Sequence, residues 1–294
     1  MAYVPAPYED AASVITSTTA ILWSHARFYT TLTLMNLYAL LSQTDRQRVS
    51  DGAIVPILSN CESAAWQLVL LWSQLGDFDN LEYAWWLQRE SEQLDAKGIA
   101  VRAVGIGDRA SGQQFCAYTG FPADCLFVDP TAELHQMLNL YSGLSVKLPG
   151  LSPSQNALFN LLLMCAGIGS PGTLAEVWRG YRGDRQAPQL IADEETINAF
   201  PLPPLKGSFF RWAGGKGFQR PFELATLRLR NMTEVLSHWK TYVPNAAYLT
   251  QRGATFLFNA QGELLYEHRD RAILGFATDM RHPLSFLSVA IETK

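Results

Sequence analysis

Residues 68–98, LVLLWSQLGDFDNLEYAWWLQRESEQLDAKG, read as a strand, a tight loop and a helix. Leu68 to Trp72 is a short continuous apolar run, the pattern of a strand buried on both faces. Gly76 ends it, and Asp77, Asp79 and Asn80 follow, each a good helix N-cap. Asp79 and Glu82 have capping-box spacing, so Asp79 is expected to cap a helix that runs to Lys97, with Gly98 just past its end. Free N–H groups converge on the first turn of such a helix, which makes the 76–80 loop a natural place for a site.

Downstream the rhythm repeats. Ile99–Ile106 reads as a second strand, and Ser111-Gly112-Gln113-Gln114 offers a capping box to a helix ending near Gly120. Cys125–Val128 is a third short strand, closed by Asp129-Pro130, and Thr131–Leu140 reads as a helix. Right-handed crossovers would make these three strands one parallel sheet. At the other end, Ala254–Phe258 and Glu263–His268 flank Asn259-Ala260-Gln261-Gly262, a four-residue hairpin connection. Ala272–Met280 is read as a last helix.

Two regions depart from the pattern. Upstream, Ala11–Gln43 has apolar residues mostly at three- and four-residue steps and is expected to be helical, followed by a polar connector over 44–51 and an extended, Pro56-containing edge segment at 52–58. Between the strands, residues 144–245 hold apolar helix patterns at Ser154–Ala166 and from Thr173 to Tyr181. A Pro/Gly-rich stretch follows at 182–220, and then a helix opened by Pro221 with Phe222, Ala225, Leu229, Met232, Leu236 and Trp239 as its apolar face. A structureless stretch as long as 182–220 is often functional, so it is expected to serve as a partner surface, a ligand surface or a lid.

Apolar residues make up 48% of the 294-residue chain and charged residues 17%, which supports a sizeable core. A net charge of −4 gives no global argument for nucleic-acid binding. The N-terminus lacks the tripartite pattern of a signal peptide, and Phe28–Leu41 is too short and polar for a transmembrane helix, so the reading is cytoplasmic with reduced thiols. The four cysteines, Cys61, Cys116, Cys125 and Cys165, form no CxxC pair, and no spacing implies a metal or cofactor. Cys61 is expected to be the exposed thiol, while Cys116, Cys125 and Cys165 read as structural or core.

The strand at 68–72, the Gly76 loop, the strand ending Gly105-Ile106-Gly107, the run Gln114-Phe115-Cys116-Ala117-Tyr118-Thr119-Gly120-Phe121-Pro122 and Phe127-Val128-Asp129-Pro130 together resemble the peroxiredoxin-like AhpC/TSA branch of the thioredoxin superfamily. Arg252-Gly253-Ala254-Thr255-Phe256-Leu257-Phe258 and the strand after it resemble its closing hairpin. The resemblance implies an α/β, thioredoxin-like fold. To this the chain adds an N-terminal helical segment (1–50) and, within a domain spanning 51–294, a helical, Pro/Gly-rich insertion at about 144–245 before the closing β-hairpin.

A relative would carry Gly-Cys-x-x-Cys in the 76–80 loop. On that alignment Asp77 stands for the first cysteine and Asn80 for the second, and a carboxylate cannot become a sulfenic acid. The expectation is therefore a redox-degenerate protein with a binding, assembly or regulatory role and not a cysteine peroxidase. Asp77, Phe78, Asp79 and Asn80 are its candidate binding residues, for a protein partner or a small ligand. The alternative is a thiol-dependent antioxidant enzyme with a relocated nucleophile, Cys61 or Cys116.

Overall fold

The computed structural model describes residues 36–292, so the helical pattern expected before Asn36 lies outside the described residues. Strands β1 (Asp45–Arg48), β2 (Ile54–Pro56), β3 (Trp66–Gln74), β4 (Ile99–Ile106) and β5 (Leu126–Val128) come first. The two-residue strands β6 (Thr196–Ile197) and β7 (Leu205–Lys206) pair with each other, and β8 (Ala254–Asn259) and β9 (Leu264–Arg269) form the closing hairpin. Seven strands make one sheet in the order β2-β1-β5-β4-β3-β8-β9. Strands β3, β4 and β5 run parallel, and β8 is antiparallel to both β3 and β9. This is the thioredoxin-like α/β arrangement the sequence predicts.

Alternation along β3 explains its unbroken apolar run. Leu68, Leu70 and Trp72 face one core cluster, and Val69 and Leu71 face the other. Helices α1 (Leu37–Gln43), α2 (Phe78–Arg89), α3 (Ser91–Ala96), α4 (Arg109–Thr119) and α5 (Glu133–Met137) flank this sheet. Leu40 and Leu41 of α1 and Leu134 of α5 pack on the Val69 side, while Leu81 and Leu87 of α2 and Phe115 of α4 pack on the Trp72 side. The insertion contributes α6 (Pro153–Cys165), α7 (Thr173–Arg182), α8 (Glu223–Ser237) and α9 (Trp239–Tyr242), and α10 (Phe286–Glu292) ends the described chain.

Several expectations are corrected. Residues 45–48, read as connector, form β1, which joins the sheet through β5. Its charged pattern hid it, because Arg46 pairs with Asp129 at 3.4 Å and Glu133 at 3.0 Å instead of pointing to water. The helix expected to run from residue 80 to 97 breaks at Glu90 into α2 and α3, although Gly98 does adopt the left-handed conformation (φ +67°). Asp108, not Ser111, caps α4, its carboxylate accepting from Ser111 N at 2.8 Å. Ala272–Met280 is not helical.

The 182–220 stretch is not structureless. It holds β6, β7 and a 3-10 segment at Gly207–Ala213, and Leu190, Ile191, Ile197, Ala199 and Phe210 belong to the main core. Arg220 is fully buried and bonds Glu223 and Asp193, which ties the stretch to the start of α8. Deleting it would open the core, so it cannot be a dispensable flap.

Candidate functional site

The loop after β3 is built from the cap outward. Asp77, not Asp79, is the N-cap of α2: its Oδ1 accepts from Asp79 N at 3.1 Å. Its Oδ2 accepts from Arg252 Nη2 at 2.5 Å and from Ser73 Oγ at 3.0 Å. Asp79, the second residue of the helix, is not free to cap because it points into the protein. Both its carboxylate oxygens accept from Leu274 N, at 2.9 and 2.8 Å. Asn80 is likewise committed, donating to Gln74 O at 2.7 Å. Glu82 does not reach back to a cap but holds Arg228, with contacts of 2.7 and 3.1 Å.

Three carboxylates, Asp77, Asp79 and Asp270, therefore share one fully buried cation, Arg252. Burial pushes Asp79 up, helped by the neighbouring Asp77 charge. Burial also lifts Asp270 to about 7 against the pull of Arg252. Asp270 Oδ1 has no hydrogen-bond partner, and His268 Nε2, 3.4 Å away, bonds Gly275 O instead.

A carboxyl raised in the folded state stabilises the fold below its unfolded pKa and loses that contribution as the pH rises through the folded value. For Asp270 the window is about pH 4 to 7. Asp270→Asn, neutral throughout, is thus expected to gain stability relative to the parent across that window. At about 1.4 kcal/mol per unit, the gain approaches about 4 kcal/mol. Denaturant melts at four or five pH values read it, and a difference that does not change with pH contradicts it.

Beside this cluster lies a cavity of about 920 Å³. Phe78, next to the cap, forms one wall, and Ile273 and Leu274, the segment anchored by Asp79, form another. The rest comes from the insertion. Helix α7 supplies Thr173, Val177, Gly180 and Tyr181, one helical face, and Phe222, Ala225, Leu229 and Met232 come from the start and one face of α8. Leu202, Pro203, Leu205, Phe209, Phe210, Trp212 and Ala213 close it. The apolar stripe expected on α8 thus faces the cavity over most of its length, while the core side of α8 is Leu224, Leu227 and Val235.

Of the four candidate binding residues, only Phe78 reaches this cavity; Asp77, Asp79 and Asn80 hold the scaffold behind it. The thiols also differ from expectation. Cys61, expected exposed, is 1% exposed, and burial pushes its thiol up. Cys116 is raised by burial to about 12. Cys165, read as core, is exposed and lines the cavity, where burial and the Asp77 charge push it up to about 11. Arg252, Asp270 and Arg228 were missed because their partners lie far away in sequence. The one signal was Arg252 opening the hairpin block of the resemblance.

The βα loop at the end of a parallel strand, with helices on both faces of the sheet, defines a thioredoxin-like α/β protein. More narrowly, the chain belongs to the AhpC/TSA antioxidant enzyme family, which it matches over residues 86–272, more than half of its length. The matched range begins after the Asp77–Asn80 loop. No curated protein and no solved structure matches the chain. Among the described residues no group of His, Cys, Asp and Glu is placed to hold a metal ion, and no helix is long and apolar enough to cross a membrane.

Proposed function

We propose that this chain is a non-peroxidatic member of its family that binds a neutral, largely apolar small molecule in the cavity beside the Asp77 loop. The observation that carries the reading is the cavity. It is about 920 Å³, walled almost wholly by apolar side chains, and assembled by the insertion against the first turn of α2. Among the described residues the only charged one in its wall is Arg228, which is already held by Glu82 and by Glu176 at 2.6 Å. Burial works against the Arg228 charge, but those two carboxylates outweigh it. A charged ligand would lose its hydration there and find no free counter-charge.

Of the polar side chains in the wall, Tyr181 and Trp212 sit at its exposed mouth, and deeper in the wall one buried hydroxyl remains available. The Thr173 hydroxyl is spent on Ile273 O at 2.7 Å, whereas the Thr226 hydroxyl has no hydrogen-bond partner among the described residues. A ligand with a single carbonyl or hydroxyl near Thr226, and apolar surface elsewhere, fits this wall best.

Against peroxidase chemistry stands the state of the thiols. A peroxidatic cysteine must be a thiolate. In the alignment on which this reading rests, Asp77 and Asn80 take the places of the motif cysteines. The alternative, a relocated thiol, moves from Cys61 and Cys116 to Cys165, the cysteine in the cavity wall. Desolvation in the cavity wall and the nearby Asp77 charge hold the Cys165 thiol up at about 11, so at pH 7 it is in the thiol form. The purified protein is therefore expected not to turn over hydrogen peroxide with thioredoxin or dithiothreitol, and Cys165→Ser is expected to change nothing in that assay. Sustained turnover lost in Cys165→Ser would establish the thiol enzyme instead.

A further inference from the structure

We propose that the rim of the cavity docks on an anionic lipid bilayer. This rests on the apolar-ligand reading only for its purpose, which is to take that ligand from the bilayer; the rim residues carry the docking themselves.

The first observation is where apolar surface is left exposed. Most of the large apolar side chains exposed among the described residues lie between Val146 and Phe222. Helix α7 points Leu174, Trp178 and Tyr181 outward at helical spacing, and all three are exposed. Tyr181 meets Trp178 on one side and Phe222 on the other, with ring centroids 6.4 and 6.1 Å apart. Across the cavity Phe209 stacks on Trp212, whose indole is 91% exposed. Tyr181, Phe222, Phe209 and Trp212 all line the cavity as well, so the exposed aromatics are its mouth. Tryptophan and tyrosine at the edge of an apolar surface suit the headgroup region of a bilayer.

The second observation is charge, and it selects the lipid. Between Leu144 and Ala192 the acids are Glu176 and Asp184, and both are spent in ion pairs. In the same stretch Lys147, Arg182 and Arg185 are exposed. Arg182 follows Tyr181 directly, and Arg185 lies over the Phe218 ring at 4.7 Å, beside the Gly214 turn that follows Trp212. Asp193 is shared by the exposed Arg211 and Lys216, while the buried Arg220 beside it is also held by Glu223. The next exposed acids along the chain are Glu194 and Glu195, and Glu195 belongs to a separate hollow with Trp85 and Arg89. In a chain of net charge −4, this apolar face carries exposed positive charge from Lys147, Arg182 and Arg185 with no acid paired to them among the described residues, as an anionic leaflet requires.

The test is flotation of the full chain with phosphatidylcholine vesicles, plain or with about 30% phosphatidylserine. Binding to the anionic vesicles is expected, weakening with salt. Leu174→Ser with Trp178→Ser removes the outer stripe of α7, and Arg182→Glu with Arg185→Glu removes the charge. Neither pair includes a cavity-lining residue, and each is expected to lower vesicle partitioning roughly tenfold or more. Nile red titration in solution is read alongside and should be unchanged in both variants. Absence of vesicle binding, or binding that both variants retain, overturns the docking. A face covered by a second copy or by another part of the chain would give the first of these. Vesicle binding without Nile red binding would keep the docking and sink the cavity reading.

Discussion

Arg252→Met is expected to cost about 3–5 kcal/mol, enough to unfold the protein under mild denaturant or moderate heat. The guanidinium is fully buried between Asp77, Asp79 and Asp270, and it also donates to Thr250 O at 3.2 Å. Removing it leaves three carboxylates with no cation. Their protonation offers partial relief, so the loss should shrink as the pH falls. The Asp77–Arg252 bond joins the start of α2 to the start of β8. The Asp79 bonds to Leu274 fix the segment that walls the cavity. Chemical melts of the parent and Arg252→Met at pH 5 and pH 8 would check this. A loss below about 1 kcal/mol at both would show that the cluster is not the brace described.

The second large effect is on binding. Ala225 lies on the cavity face of α8, with Met232 two turns along on the same side. Ala225→Trp places an indole in the space a ligand would occupy without touching Leu224 or Leu227, which face the core. The fold should survive, with a stability change within about 1 kcal/mol, since the added surface leaves water for an apolar wall. Nile red, neutral and apolar, should bind the parent saturably and bind Ala225→Trp at least about tenfold more weakly. Equal affinity in both would place the dye elsewhere.

The fold was legible in residues 68–72, 99–106 and 254–268 because each strand carries its own pattern and its own turn residues. β1 was not, since its sequence, Asp45-Arg46-Gln47-Arg48, reads as solvated until Asp129 and Glu133 are placed beside it. The site was legible only in part. The apolar stripe from Phe222 to Met232 was seen, but periodicity says that a helix has an apolar face and not whether core or cavity covers it. The Asp77–Asn80 loop was singled out as a binding site, yet its polar side chains brace the scaffold, and of the four residues Phe78 alone touches the cavity. Choosing between Asp77 and Asp79 as the cap required Arg252 and Leu274, about 175 and 195 residues away, which no local pattern reports.

Photolabelling tests the central claim most directly. The full chain would be irradiated with a neutral diazirine-bearing fatty alcohol, digested and mapped by mass spectrometry, with and without excess Nile red. The account predicts labels on the walls of one cavity, in the peptides holding Val177 and Tyr181, Phe209 and Trp212, and Phe222 to Met232, with Nile red suppressing them. Labels scattered over the surface, or labels on those peptides that Nile red leaves untouched, would contradict it.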